Sequence, residues 1–267
     1  MILTRINFYS VVLRNHVDVD ILLPSMDDNE AFLNKNLDEI YVKKKYPVLY
    51  LLHGAFDDHT MWLRNTHIER YGQKHQIAVV MPSGQNGFYT DSESGLNYYT
   101  FMSEELPRLI ETYFPVSGKR EDHFIAGASM GGYGATRIAL SQMENYAAFA
   151  DFSGALDPET LEPAMKEIGF DFFRYDLLFG GSDKVKGTKN DVYHLAVLNK
   201  DNPLKPEAFI YCGLQDSVNH DMNLKFYDLL IENGYRAHFK DDDGGHDWIY
   251  WEKCIEDFLD RIFDNYE

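Results

Sequence analysis

The chain has 267 residues, 45% of them hydrophobic, and a formal net charge of −18 from 43 acidic against 25 basic side chains. An acidic surface of this size repels phosphate backbones and anionic bilayers, which argues against nucleic-acid or lipid-surface partners and reads as solubility. No apolar run approaches the roughly 20 residues that span a bilayer. Residues 1–24 alternate like β-strands and lack the basic-then-apolar pattern of a signal peptide. The two cysteines, Cys212 and Cys254, fit buried thiols in a reducing compartment, so the expected setting is cytoplasmic.

Two extended strands are expected at 8–14 and 17–23, followed by a polar stretch, Ser25–Lys45, read as a long loop with a helical turn. Tyr46–Leu52 is a continuous apolar run, the pattern of a strand buried on both faces. Gln76–Met81, Ala147–Phe152 and Ala208–Cys212 repeat it, and Arg236–Lys240 reads as an edge strand. Helical periodicity appears in Phe101–Phe114, where Pro107 either kinks the helix or marks its true first turn. It reappears in Met222–Asn233, closed by Gly234, and in Trp251–Phe263 with Trp251, Ile255, Phe258 and Ile262 on one stripe. Alternating strand and helix predicts one α/β domain over 1–267, with a mostly parallel central sheet flanked by helices. Residues 157–204 break the rhythm with the aromatic-rich FDFFRYDLLFGG and a polar, lysine-dotted run, and are read as a small cap.

Gly127-Ala128-Ser129-Met130-Gly131 has the G-x-S-x-G form of a nucleophile elbow, between a short buried strand (His123–Ala126) and a helix expected over Gly132–Met143. Such a serine needs a base within hydrogen-bond reach, and that base needs an orienting acid. In the α/β-hydrolase arrangement the order along the chain is serine, acid, histidine. His246, in the Gly-flanked loop Asp243–Trp248 between the last strand and the last helix, is the expected base; His238 and His220 are read as structural. Asp216, directly after the strand ending at Cys212, is preferred as the acid over Asp221. Asp241, Asp242 and Asp243 read as a solvated acidic loop. The backbone N–H of Met130 should donate to a developing oxyanion. A second donor is expected from His53-Gly54-Ala55-Phe56, with Ala55 first choice and Phe56 second, and His53 bracing the loop.

With these residues in place, the chain resembles the esterase D / S-formylglutathione hydrolase-like branch of the α/β-hydrolases, most of all the bacterial tributyrin-esterase type. The matching segments are YLLHGAFDDHTMW, VVMPSGQNGFYTDSESGLNYYTFMSEELP, KREDHFIAGASMGGYGATRIAL and GGHDWIYWEKCIEDFL, spread over 50–262. The resemblance implies a serine carboxylesterase without metal or organic cofactor. It also implies Ser129, Asp216 and His246 as triad and Ala55 and Met130 as oxyanion donors. Similar proteins cleave short acyl esters, acetyl or feruloyl groups on plant polysaccharide, or S-formylglutathione. The thioester subgroup has a cysteine shortly after its HG loop, where this chain has Ala55-Phe56-Asp57-Asp58. An acyltransferase would use the same triad. Phe56 and Trp62, with Phe172, Phe173, Tyr175, Leu178 and Phe179, are candidate walls of an acyl pocket. Tyr89, Tyr98 and Tyr99 are candidates for stacking on sugar rings. Apolar patches could support a homo-oligomer.

Overall fold

The computed structural model describes residues 1–26, 32, 36–41 and 43–264. Eight strands form one sheet: β1 (Ile2–Ser10), β2 (Asn15–Leu23), β3 (Val48–Leu52), β4 (Ala78–Pro82), β5 (His123–Ala128), β6 (Ala148–Phe152), β7 (Glu207–Tyr211) and β8 (Ala237–Lys240). Their spatial order is β1-β2-β4-β3-β5-β6-β7-β8. β1 and β2 are antiparallel to their neighbours, and every pairing from β4 to β8 is parallel.

The four runs without alternation are the interior strands β3, β4, β6 and β7, and the short strand leading into Ser129 is β5 between β3 and β6. Every residue of β3, β4, β5 and β6 is buried, because helices cover both faces of a parallel sheet. Val48, Tyr50 and Leu52 point into one core and Leu49 and Leu51 into the other, as a two-residue repeat requires. The first core is closed by helices α3 (Leu106–Tyr113), α4 (Met130–Ser141), α7 (Val192–Leu198) and α8 (His220–Glu232). The second is closed by α1 (Met61–Asn65), α2 (Ile68–Lys74) and α9 (Trp248–Asp264). In α9 the expected stripe of Trp251, Ile255, Phe258 and Ile262 is buried, with Cys254 and Leu259 beside it.

The first hairpin differs from the sequence expectation. Ser10 pairs with Asn15, so Val11–Arg14 is the turn and not strand. The apolar Val11, Val12 and Leu13 suggest extended structure, but Glu105, far along the chain, takes up the turn's donors. Its carboxylate accepts from the Val11 and Val12 N–H groups (2.7 and 3.2 Å) and from Ser10 Oγ (2.5 Å). Before α3, Phe101–Glu105 forms a π-helical turn, and α3 itself begins at Leu106 with Pro107 in its first turn. Proline lacks the N–H that would bond back into the preceding turn, so the ladder widens there and resets.

Between β6 and β7, residues 157–204 carry α5 (Pro158–Glu167), α6 (Tyr175–Phe179) and α7. Asp157 caps α5 by accepting from the Glu159 and Thr160 N–H groups, and Asp191 caps α7 in the same way. The excursion is tied to α4 by two side chains. Tyr133 Oη donates to the Asn190 carbonyl (2.7 Å), and the buried Arg137 donates from Nε to Lys189 O and from Nη1 to Tyr89 O, each at 3.0 Å. A buried guanidinium spent on two carbonyls pins both the excursion and the loop after β4 to the helix that carries the elbow.

Candidate active site

Ser129 lies between β5 and α4 with φ 57° and ψ −116°, a left-handed conformation that a side-chain-bearing residue holds only under constraint. The constraint is visible in the hydrogen bonds. Ser129 N–H donates to Phe152 O (2.8 Å), while Ser129 O accepts from Tyr133 N–H (3.1 Å) and Ala155 N–H (3.2 Å). The flanking glycines are needed for close approach. A Cβ at Gly127 would overlap the Gly131 carbonyl, and one at Gly131 would lie 2.5 Å from Leu52 O and 2.7 Å from His53 O. The turn projects the hydroxyl off the sheet edge.

The loops after β7 and β8 meet over the same edge. Leu214 N–H donates to Asp242 O and Gln215 N–H to Gly244 O, each at 3.0 Å. Gly244 N–H donates back to Gln215 Oε1 (2.7 Å). A Cβ at Gly213 would overlap the Gly244 carbonyl, so the two backbones touch. On these paired loops His246 Nδ1 stands 2.7 Å from Asp216 Oδ2, and His246 Nε2 2.9 Å from Ser129 Oγ. A carboxylate only accepts, so the consistent tautomer puts the proton on Nδ1 and leaves Nε2 to accept from the serine hydroxyl.

Asp216 is 3% exposed. Burial pushes its pKa up, but hydrogen bonds from His246 and Asn219 outweigh burial and hold it below the ordinary carboxylate value. Asn219 donates its backbone N–H to Asp216 Oδ1 (3.1 Å) and its Nδ2 to both carboxylate oxygens (3.2 and 3.3 Å). Asp221, the alternative acid, is 90% exposed and faces His220. Among the described residues the carboxylates of the acidic loop do not pair with His246: Asp241 pairs with His220 Nε2 at 3.1 Å, and Asp242 lies 3.9 Å from Lys240 Nζ.

In the loop after β3, His53 is buried, and burial lowers its pKa to about 4. The neutral ring fits its partners: Nδ1 donates to Gly54 O (2.6 Å), and Nε2 accepts from Gly84 N–H (2.8 Å). Phe56 N–H donates to Asn86 Oδ1 (2.7 Å). Ala55 N–H makes no hydrogen bond among the described residues.

Ser129, Met130, Asp216 and His246 border one cavity of about 350 Å³, together with Ala55 and Phe56. Its far wall comes from the excursion, through Leu161, Met165, Ile168, Phe170 and Phe173. Two expected substrate residues lie elsewhere. Trp62 is buried in the core on the opposite face of the sheet, where Nε1 donates to Leu52 O (3.0 Å) and its ring meets Trp248 edge-on. Tyr89 is fully buried, its Oη donating to His53 O (2.9 Å), so it is a strut under the His53 loop. Tyr98 is buried, and Tyr99 is covered by the Arg137 guanidinium at 4.0 Å. Of the excursion aromatics named from sequence, Phe173 lines the cavity, stacked on Phe56 at 5.7 Å. Tyr175, Leu178 and Phe179 pack behind it and Phe172 is exposed. Asn219 and Trp251 also stand at the site without being marked as site residues by the sequence pattern. Asn219 carries a weak signal, an amide three residues after the acid at a helix start. Trp251 carries none, because its ring reaches His246 (5.0 Å, edge-on) only through the folding of α9 across the sheet edge.

A mostly parallel sheet flanked by helices, with a serine on a strand-to-helix elbow, defines the α/β serine hydrolases, and solved members share the fold closely. FphF, a fluorophosphonate-binding serine hydrolase of Staphylococcus aureus, is 30% identical with a TM-score of 0.84, over 98% of each chain. The S-formylglutathione hydrolase FrmB of Staphylococcus aureus is 32% identical with a TM-score of 0.82, over 98% of each chain. In sequence, the acetyl esterase of Caldicellulosiruptor saccharolyticus is 31% identical over 260 residues, 96% of each chain. The family model Esterase, described as "Putative esterase", matches residues 38–262. The chain belongs to this esterase family, in the esterase D / S-formylglutathione hydrolase-like group, and is a carboxylic ester hydrolase.

Proposed function

We propose that the protein is a serine carboxylesterase that hydrolyses short-chain acyl esters through an acyl-enzyme. The observation that carries this reading is the run of short contacts from Asp216 through His246 to Ser129 Oγ at the edge of an apolar cavity. Ser129 Oγ attacks the ester carbonyl while His246 Nε2 takes its proton. Asp216 holds the ring tautomer and stabilises the imidazolium. The tetrahedral oxyanion is received by the N–H groups of Ala55 and Met130. Of the two candidates in the HG loop, Ala55 is favoured because the Phe56 N–H is already spent on Asn86. Collapse breaks the bond to the leaving alcohol, which departs with the proton from Nε2. Water then repeats the sequence to release the acid, and an alcohol in place of water would give transfer.

The likeness to an acetyl esterase over nearly the whole chain supports a small acyl group. The likeness to FrmB favours a second reading, hydrolysis of S-formylglutathione, against which stands the absence of a cysteine in Ala55-Phe56-Asp57-Asp58. Among the described residues no helix is long and apolar enough to cross a membrane. The buried free thiols of Cys212 and Cys254 support a cytoplasmic setting. The test is turnover of p-nitrophenyl acetate and butyrate by the wild type and Ser129→Ala, with fluorophosphonate labelling of Ser129. The reading requires a fall of roughly 10³-fold or more and loss of label. Unchanged turnover would overturn it.

A further inference from the structure

Asp57 is a carboxylate that the proposed mechanism does not use, yet it lines the catalytic cavity. The Cβ that a residue at Gly54 would carry stands 3.5 Å from Asp57 Oδ2 and 3.6 Å from Ser129 Cβ. Carboxylate and nucleophile therefore flank the same glycine. Among the described residues Asp57 has no protein hydrogen-bond partner and no ion pair, and it is only partly buried. Its neighbour shows what an ordinary loop carboxylate does here: Asp58 is exposed and accepts from Thr60 N–H (2.8 Å) and Thr60 Oγ1 (2.6 Å). Burial, with a smaller push from the Asp58 charge, raises the pKa of Asp57 to about 6. A half-buried carboxylate that the protein itself leaves without a partner, in a cleft and with a raised pKa, is placed to take one from a ligand. The rest of the surroundings are mainly apolar and aromatic, with Phe56, Phe88, Phe170 and Phe173 on the cavity wall. Aromatic rings and an unpaired carboxylate on the wall of one cavity form an environment that receives a cation, whereas the other carboxylate there, Asp216, is already engaged by His246 and Asn219. The net charge of −18 would draw a cationic ester toward the mouth and hold an anionic one away.

We propose that Asp57 is a specificity-determining residue that makes this pocket prefer esters carrying a positive charge, an ammonium group seated between its carboxylate and the aromatic wall. The inference rests on the esterase reading above and names the substrate class that site selects.

The test compares two acetates of equal shape, acetylcholine and its uncharged carbon isostere 3,3-dimethylbutyl acetate, by kcat/KM at pH 7.5. The wild type should favour acetylcholine at least tenfold, and Asp57→Asn should reduce that ratio at least fivefold. Tetramethylammonium should slow fluorophosphonate labelling of the wild type and lose this protection in Asp57→Asn, a readout independent of turnover. A wild-type ratio near one overturns the proposal without any variant. So does a ratio that Asp57→Asn leaves in place, or a stronger preference for glycerol monoacetate, which would assign the carboxylate to a hydroxyl. Retention of both acetate activities in Ser129→Ala would instead count against the esterase mechanism alone.

Discussion

Gln215 and Gly244 exchange two hydrogen bonds, Gln215 N–H to Gly244 O at 3.0 Å and Gly244 N–H to Gln215 Oε1 at 2.7 Å. This reciprocal pair lies one residue from Asp216 and two from His246, so it sets the spacing between acid and base before either side chain is placed. Gln215→Ala removes the acceptor and should lower kcat about tenfold with a stability loss of about 1 kcal/mol. Gln215→Glu, which still accepts, should recover most of both. Steady-state kinetics and urea unfolding of the two variants check this.

Asn219 is the principal support of Asp216 besides His246. Asn219→Ala should reduce kcat more than it changes KM, because the imidazole loses a fixed carboxylate rather than a substrate contact. The folded pKa of Asp216 lies below its unfolded value, so its partners stabilise the fold above the ordinary carboxylate range, and that stabilisation is lost as the pH falls through the folded pKa. The stability gap between wild type and Asn219→Ala should accordingly be widest near neutrality and close in acid. Urea titrations between pH 3 and 7 measure it.

Asp151 follows the opposite linkage. It is fully buried, and no side chain hydrogen-bonds to either of its carboxylate oxygens among the described residues. Burial raises its pKa well above the ordinary value, the Gly154 backbone offsets only part of this, and the Asp216 charge adds to it. The unfolded chain ionises first, so this group costs stability as pH rises above the ordinary carboxylate value, by about 1.4 kcal/mol per pH unit until the folded pKa is reached. Asp151→Asn cannot ionise. The melting temperature of wild type relative to this variant should fall between pH 4.5 and 6; parallel curves would contradict the assignment.

Gly131→Ala tests the elbow directly. The added methyl would press on Leu52 O and His53 O, both backbone atoms of the strand end that leads into the HG loop. Overpacking of this kind costs about 1–3 kcal/mol. A shift of the loop should also cost kcat at least a hundredfold, read by p-nitrophenyl acetate turnover alongside thermal melting.

The sheet and the chemical residues were legible in the sequence to different depths. Uninterrupted apolar runs located β3 to β7, because burial on both faces leaves a local signature. Ser129, Asp216 and His246, which the fold brings within hydrogen-bond distance, could be picked out because each follows a recognisable strand in a required order. Trp62 and Tyr89 could not be placed, since an aromatic side chain looks the same whether it lines a cavity or fills a core. The β1–β2 turn depended on Glu105, and the environment of Asp57 on Gly54, Ser129 and the excursion. Partners that meet only through folding leave no mark in a local window.

The excursion between β6 and β7 supplies one wall of the cavity, whereas the bond-breaking side chains stand on loops after β5, β7 and β8. The wall residues of this excursion come before Lys189 and Asn190, the part that Arg137 and Tyr133 tie to the elbow helix. Leu161, Met165, Ile168, Phe170 and Phe173 can therefore vary without touching the side chains that anchor the elbow helix. Preference for one ester over another can diverge here as a trait inherited apart from catalysis, which makes this segment the natural place to retune the enzyme.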